Sequence, residues 1–121
     1  STMATTPPGA SGEFAPVQSL SDHPTIELCC LIWATQGNAE GATEYEDEVL
    51  ALLPDYGGEV VARAIGPGLD DMPHETQFLR LPDQQSLDAY LGDPRRLELN
   101  DQREELIERT IVYPVRVTGH R

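Results

Sequence analysis

The stretch "YEDEVLALLPDYGGEVVARA", Tyr45 to Ala64, decides the fold because its periodicity changes from helix to strand around two glycines. Before the glycines, apolar residues recur at three- and four-residue steps, which is typical of an amphipathic helix. Gly57 and Gly58 let the chain reverse, since glycine takes positive φ without steric cost, and "EVVARAI" then predicts a strand. Nucleotide-binding fingerprints place glycines between a strand and a helix, so this pair indicates a bend rather than a phosphate cradle. The predicted core stripe of the helix is Tyr45, Val49, Leu52 and Leu53, with Pro54 in its last turn.

A continuous apolar run precedes this helix. "TIELCCLIWAT", Thr25 to Thr35, has apolar or β-branched residues in both alternating sets, the pattern of a strand covered on both faces. We expect it in the centre of a sheet. Two starts remain open for the helix: Asn38 could cap it, and Thr43 with Glu46 has the spacing of a capping box.

The C-terminal half predicts another strand and two helical segments. "HETQFLRL", His74 to Leu81, is the strand, and Asp83 can cap the short helix that follows it. Asp93 and Pro94 supply a second cap and first-turn pair, with a break predicted near Asn100. The predicted apolar contacts of the second segment are Leu97, Leu106 and Ile107.

The last strand completes the order β, α, β, β, α, β. It is predicted at "TIVYPVRVT", Thr110 to Thr118, and Pro114 cannot donate to a ladder, so this strand should lie at an edge. The order is that of an α+β ferredoxin-like fold, an antiparallel sheet with its first and third strands in the centre. Two helices cover only one face of such a sheet. We therefore expect a homodimer in which a second copy covers the open face.

Length and charge restrict the architecture and the partners. The 121 residues suit one core, since single cores occupy roughly 100 to 150 residues. We expect residues 25–121 to form that domain and residues 1–24, rich in Pro, Gly, Ser and Thr, to form a flexible or docked arm. The formal net charge of −13 repels phosphate backbones and anionic membrane surfaces. Nucleic acid and membranes are therefore not expected partners.

The cysteines and the hydropathy indicate the compartment. Cys29 and Cys30 are neighbours in a strand, so they point to opposite faces and cannot form an ordinary disulfide. They fit a reducing compartment. The sequence contains no stretch approaching the roughly 18 to 20 apolar residues of a membrane span. The expected location is cytoplasmic.

Several local sequences carry a resemblance to a known group. "DYGGEVVARA", with the spacing from Gly57 and Gly58 to Arg63, is followed by "FLRLPDQQSLDAYLGDPRR" and a terminal strand. In these features, over about Thr25 to Val117, the chain resembles the dimeric α/β-barrel superfamily. That group includes cofactor-free antibiotic-biosynthesis monooxygenases and small uncharacterised proteins, and the chain is most similar to the latter.

The resemblance implies a site between the sheet and the helices of each monomer. His74 has the only imidazole inside the predicted domain core, so it is the candidate general base, or else a histidine at the surface. Asn38 could hydrogen bond a developing oxyanion or only cap the helix. His23 and His120 lie in the tails, and the three histidines share no ligand spacing, so we expect no metal site and no cofactor.

Four further residues are candidates for substrate binding. Trp33 could stack on an aromatic ligand or pack in the domain, and Tyr45 could contact the ligand from the helix. Arg63 and Arg80 could clamp a carboxylate or phenolate, or pair with the abundant acids.

The resemblance leaves two hypotheses for the function. One is a small cofactor-independent monooxygenase or isomerase-like enzyme acting on an aromatic, acidic or polyketide-like substrate in the barrel cavity. The alternative is a non-catalytic dimeric module that binds a small ligand or has a structural role. Because one fold hosts many activities, the chemistry of the site must decide between them.

Overall fold

A computed structural model describes residues 25–119, and their elements follow the predicted order. The strand order β2-β3-β1-β4, with every neighbouring pair antiparallel, places β1 and β3 in the centre, as predicted for the ferredoxin-like fold. The predicted arm, which contains His23, lies outside the described residues. His120 also lies outside them. The strands are β1 (Ile26–Ala34), β2 (Glu59–Ile65), β3 (Glu75–Leu81) and β4 (Ile107–Pro114). The helices are α1 (Ala39–Leu50), α2 (Gln84–Leu91), α3 (Pro94–Leu97) and α4 (Asn100–Leu106), with a 3₁₀ turn at Leu53–Tyr56.

The two faces of the sheet differ in what covers them. On β1 the alternate residues from Ile26 to Ile32 join the core beneath the helices, whereas the intervening residues point to the other face. Pairing Cys29 with Phe78 and Tyr113 across the ladder puts all three on that same side. The open face is the side that the described helices leave uncovered. Its apolar residues include Cys29, Leu31, Trp33, Phe78, Ile111 and Tyr113.

Helix α1 is shorter than predicted. It ends at Leu50, so Leu53 lies in the 3₁₀ turn although its side chain is fully buried, as the core stripe required. The cause is Pro54, whose ring clashes with the carbonyl four residues earlier, that of Leu50, and which lacks an N–H group. The helix begins at Ala39, so Asn38 occupies the cap position without a side-chain cap bond, and Thr43 lies inside the helix.

The glycine pair makes the predicted bend for two different reasons. Gly57 has φ of +76°, the left-handed conformation that glycine adopts without cost, and it closes the 3₁₀ turn. A Cβ atom on Gly58 would lie 2.8 Å from Cγ of Leu53 and 3.1 Å from the carbonyl oxygen of Arg80. The second glycine therefore permits close approach of the turn to β3, and the predicted bend is confirmed.

The C-terminal half departs from the prediction at Leu97 and in the bounds of β4, beside several confirmed features. The Asp83 carboxylate accepts from the backbone N–H of Ser86, the predicted cap, and the break before Asn100 separates α3 from α4. Leu97, however, is 50 % exposed, and the buried residues of α3 and α4 are Arg96 and Arg103. Strand β4 also begins at Ile107 rather than at Thr110, although Pro114 does lie on an edge strand.

Asp93 is expected to make stability dependent on acid pH. Its carboxylate accepts from the backbone N–H and the guanidinium of Arg95 and from the hydroxyl of Tyr56. The bonds from Arg95, then the bond from Tyr56, lower the pKa of Asp93 below its usual 3.8. A lowered folded-state pKa means that the stabilisation is complete above the unfolded pKa and is lost as pH falls below it.

We therefore expect Asp93→Asn to flatten the decline of the unfolding free energy as the pH falls from about 5 to about 2. The decline begins about one unit above the pKa of an unfolded aspartate and continues toward the lowered pKa of the folded state. Urea unfolding at several pH values, followed by circular dichroism, measures this. Asp88→Asn is the control, because Asp88 is exposed on α2. Parallel pH profiles for wild type and Asp93→Asn would contradict the expectation.

Candidate functional site

His74 is the residue just before β3, and its side chain faces helix α1. Its Nε2 atom lies 2.9 Å from the Thr43 hydroxyl oxygen, and the imidazole is buried, so it is not the surface histidine that the sequence left as an alternative. The Thr43 hydroxyl has one proton, which it donates to the carbonyl oxygen of Ala39. With the Thr43 proton placed in that bond, the Thr43 oxygen accepts from Nε2, which leaves Nδ1 as the ring nitrogen that could accept a proton.

A run of charged and amide side chains lies beside His74, between α1 and the sheet. Nε of Arg63 donates to Oε2 of Glu75 at 2.7 Å, and Nη1 of Arg63 contacts Asp47 at 2.6 Å. The Gln77 amide nitrogen donates to Glu75 at 2.9 Å and to Glu46 at 2.8 Å. We call this set, Asp47, Arg63, Glu75, Gln77 and Glu46, the interior polar chain.

The interior polar chain runs from solvent into the core. The Asp47 side chain is 57 % exposed, that of Arg63 is 24 % exposed, and that of Glu75 is completely buried. The bonds from Arg63 to Glu75 and Asp47 raise the pKa of Arg63, which therefore stays charged. A buried carboxylate needs such a partner, because removing an isolated charge from water costs several kcal/mol or more.

Two buried atoms of this chain have no hydrogen-bond partner within the described part of the protein. They are Nη2 of Arg63, a donor, and Oε1 of Glu75, an acceptor. Buried polar groups in folded proteins are nearly all paired, so each exception needs an explanation. Arg63 and Glu75 are joined by a hydrogen bond of 2.7 Å between Nε and Oε2, and each side chain keeps one further polar atom without a partner among the described residues.

A small cavity adjoins the inner end of the interior polar chain. Its volume is about 20 Å³, and Glu46 and Gln77 line it together with Tyr90, Arg96 and Thr110. Burial raises the pKa of Tyr90, and its hydroxyl donates to the carbonyl of Val49 at 2.8 Å. About 10 to 15 Å³ is enough for one water molecule, so this space is much smaller than an aromatic substrate.

Trp33 and Arg80 do not join His74, because they lie on the open face. The Trp33 indole nitrogen donates to the carbonyl oxygen of Asp71 at 2.9 Å, and the Arg109 guanidinium lies 3.9 Å from the ring centroid. Arg80 contacts Glu27 and Glu59 at 2.8 and 2.7 Å. Trp33 therefore cannot stack on a ligand held by His74 and Arg63 within one subunit. Within one subunit, the predicted site residues therefore lie on two faces of the sheet.

Asn38 and Tyr45 occupy structural positions on the helical side. The Asn38 side-chain nitrogen donates to the Thr35 hydroxyl at 2.7 Å, and that hydroxyl donates to the carbonyl of Glu105. This ties the start of α1 to α4. Tyr45 is buried in the hydrophobic core, on the predicted stripe of α1. The structure thus groups His74 and Arg63 near one helix and leaves the other candidates apart from them.

Sequence reasoning missed the buried acids and amide of the interior polar chain. Glu75 and Gln77 alternate with Thr76 and Phe78 in β3 and share the face of Leu79 and Leu81. A period of two along "HETQFLRL" places polar residues in line with core leucines, and this signal was readable in the sequence. Glu46 gave no such signal, because it is surrounded by other acidic residues in α1.

The described residues contain neither a metal-binding cluster nor a membrane-spanning helix. Among residues 25–119, no three His, Cys, Asp or Glu side chains are grouped so that they could hold a metal ion. Within the same residues, no helix has both the length and the apolar character needed to cross a membrane.

Comparison with known proteins supports the fold. No protein-family model and no curated protein sequence matches the chain. A protein of unknown function from Rhodopseudomonas palustris superimposes with a TM-score of 0.65 at 17% identity, covering 81% of this chain and 85% of its own. The cofactor-independent oxygenase SnoaB from Streptomyces nogalater gives 0.58 at 12% identity, with 78% and 96% covered. A dimeric protein of unknown function with a ferredoxin-like fold, from Bacteroides fragilis, gives 0.56 at 9% identity, with 77% and 98% covered. The chain shares the ferredoxin-like fold of these proteins.

Proposed function

We propose that the protein is a homodimer that binds a small aromatic or polyketide-like molecule between its sheet and helices and removes a proton from it without a cofactor. The observation that carries this proposal is that the buried His74 imidazole and the partly unpaired Arg63–Glu75 couple both contact helix α1, through Thr43 and Asp47 respectively. A base near a fixed cation can remove a proton and stabilise the anion that forms. The fold shared with a cofactor-independent oxygenase adds support.

The proposed chemistry begins at a weakly acidic C–H bond next to a carbonyl group. Nδ1 of His74 takes the proton, and Arg63 stabilises the enolate oxygen with its guanidinium. Dioxygen then forms a C–O bond with the carbanion, the resulting peroxide anion takes the proton back from His74, and the hydroperoxide loses water to give a ketone. An isomerase would instead return the proton to another carbon atom of the same substrate.

Substrate entry in this proposal requires α1 to move. The cavity of about 20 Å³ holds no aromatic ring, and Asp47 on α1 closes the exposed side of Arg63. An incoming substrate would displace this exposed carboxylate at little cost, since exposed ion pairs contribute about 0 to 1 kcal/mol.

Replacing His74 tests the proton-transfer step. Anthrone is a suitable probe, because deprotonation at its methylene carbon gives an aromatic enolate that dioxygen converts to anthraquinone and water. We expect the wild-type protein to accelerate oxygen uptake and His74→Gln to lower that rate about 100-fold or more, the usual contribution of a general base. His23→Gln, outside the described residues, is the control for loss of an imidazole elsewhere. Equal rates for wild type and His74→Gln would remove the base from the proposal.

The second candidate function is a non-catalytic dimeric module that binds a small ligand. The small size of the cavity favours it, because a volume of about 20 Å³ suits one water molecule rather than a substrate. Native mass spectrometry of freshly purified protein discriminates the two, together with the oxygen-uptake assay. A dimer that retains a small molecule but does not consume oxygen with anthrone would favour the module.

The proposed dimer forms through the open face, and the proposed location is the cytoplasm. Ile111 and Tyr113 are exposed on β4, next to the apolar centre formed by Leu31 and Phe78. Sheet-against-sheet packing of two copies would bury this apolar surface. The neighbouring cysteines of β1 are both free, which fits a reducing compartment.

A further inference from the structure

We propose that Arg63 and Glu75 form a subsite for one hydroxyl oxygen of the ligand, a phenol or an enol, and that Glu75 accepts the proton of that hydroxyl. This inference rests on the proposed function, because it requires an organic ligand to enter between the sheet and α1. It adds to that function a second proton acceptor, distinct from His74, and a chemical class for the group that the interior recognises.

The geometry of the Arg63–Glu75 pair differs from that of the other arginine–glutamate pair on the sheet. In Arg80, both Nε and Nη2 contact Oε2 of Glu27, at 2.9 and 2.8 Å. In Arg63, Nε contacts Glu75, whereas Nη2 makes no hydrogen bond among the described residues. Oε1 of Glu75 also makes none. Only the buried pair therefore keeps a donor and an acceptor available.

A hydroxyl group matches this donor and acceptor better than other groups do. Its oxygen can accept from Nη2 of Arg63 while its proton is donated to Oε1 of Glu75. A carboxylate would accept from Arg63 but would be repelled by Glu75, and an ammonium group would be repelled by Arg63. An ether oxygen could accept from Arg63 but has no proton for Glu75. The subsite thus selects a neutral O–H group.

Burial of Glu75 strengthens the preference for an O–H group. The proton transfer also leaves the net charge of the interior unchanged. The Glu75 side chain is completely buried, so few water molecules can compete for its free oxygen. Transfer of the hydroxyl proton breaks the ligand O–H bond, forms the Glu75 O–H bond and leaves a phenolate or enolate on Arg63. The negative charge moves from Glu75 to the ligand oxygen, and both groups contact Arg63, so no unpaired charge is created in the interior.

Access to the subsite leads past Asp47. This carboxylate contacts Nη1 of Arg63 at 2.6 Å and is largely exposed, whereas Nε of the same guanidinium stays bound to the buried Glu75. Movement of Asp47 would open the outer edge of the guanidinium without releasing its inner anchor. The ligand ring would then lie beside α1, with its hydroxyl group directed toward β3.

Phenol and anisole test the inference, because they have the same ring and differ in the O–H proton. We would titrate each into the full-length protein labelled with ¹⁵N and follow the arginine side-chain signals by NMR. We expect phenol to bind about tenfold more tightly than anisole, as a hydrogen bond to a charged group contributes that much or more. The Arg63 signals should move with phenol, while those of Arg80, which is bonded to Glu27 and Glu59, stay in place.

Glu75→Gln supplies the matched variant. It keeps the side-chain shape but replaces the acceptor carboxylate, so the preference for phenol over anisole should fall to about twofold or less. If this variant does not fold, the wild-type titration decides alone. Equal binding of phenol and anisole, no binding of phenol, or an unchanged preference in folded Glu75→Gln would overturn the subsite.

The His74-dependent oxygen uptake with anthrone separates this failure from failure of the proposed function. If that uptake persists while phenol shows no preference, only the Glu75 subsite is wrong. If uptake is absent but phenol moves the Arg63 signals, the subsite stands as a binding site and the catalytic proposal fails.

Discussion

Replacing Ile111 with glutamate is expected to convert the proposed dimer into a monomer. Ile111 is 40 % exposed on edge strand β4 and pairs with Leu31 across the ladder, within the apolar part of the open face. In a two-fold interface each substitution occurs twice, so Ile111→Glu would bury two carboxylates without partners. We expect the dissociation constant to rise by about 100-fold or more, the size of an effect at an interface hot spot.

Light scattering after size-exclusion chromatography, over a range of protein concentrations, measures this change. Leu97→Glu is the matched control, because Leu97 is 50 % exposed and lies on α3, on the helical side of the sheet. It should leave the dimer intact. A dimer that survives Ile111→Glu and dissociates in Leu97→Glu would place the interface on the helical layer instead.

Removing the Arg63 guanidinium is expected to cost about 3 kcal/mol of folding free energy, the usual effect of leaving one member of a buried ion pair alone. Arg63→Met preserves much of the side-chain length but takes the cation away from Glu75, which has no exposed surface. The Gln77 amide remains as its only other hydrogen-bond donor within the described residues. Urea unfolding of wild type and variant measures the difference.

A double variant and a control make this expectation specific. Arg63→Met combined with Glu75→Gln should recover a large part of the loss, because the neutral amide costs less to bury than an unpaired carboxylate. Arg80→Met should cost only about 1 kcal/mol, since its partner Glu59 is exposed to water and its other partner, Glu27, still accepts from the Val117 N–H. Equal losses for Arg63→Met and Arg80→Met would show that burial of Glu75 does not govern the effect.

Most of the fold could be predicted from the sequence, because several independent signals agreed. The order of periodic segments gave the ferredoxin-like topology, and Pro114 identified an edge strand. The bounds of β2 match the predicted segment "EVVARAI". The end of α1 was missed because the apolar stripe continues through Leu53, while the steric clash of Pro54 with the preceding turn stops the helix sooner.

The candidate site was only partly predictable, because β1 is apolar on both faces. Nothing in "TIELCCLIWAT" shows whether the set of Ile32 or the set of Trp33 faces the helices, so Trp33 was assigned to the same cavity as His74. The alternative roles of Arg63 and Arg80 as partners of acids do occur in the structure. The catalytic and ligand-binding roles of His74, Asn38, Tyr45 and Arg63 stay predictions.

The small volume of the interior cavity affects how tightly any ligand can bind. If only an open conformation admits a ring, the apparent dissociation constant equals the intrinsic constant divided by the open fraction. An open state populated at about 1 % would weaken the observed affinity about 100-fold. A substitution that loosens the packing of α1 would raise this fraction and could tighten binding while lowering stability. Affinity and stability would then change in opposite directions across such a series.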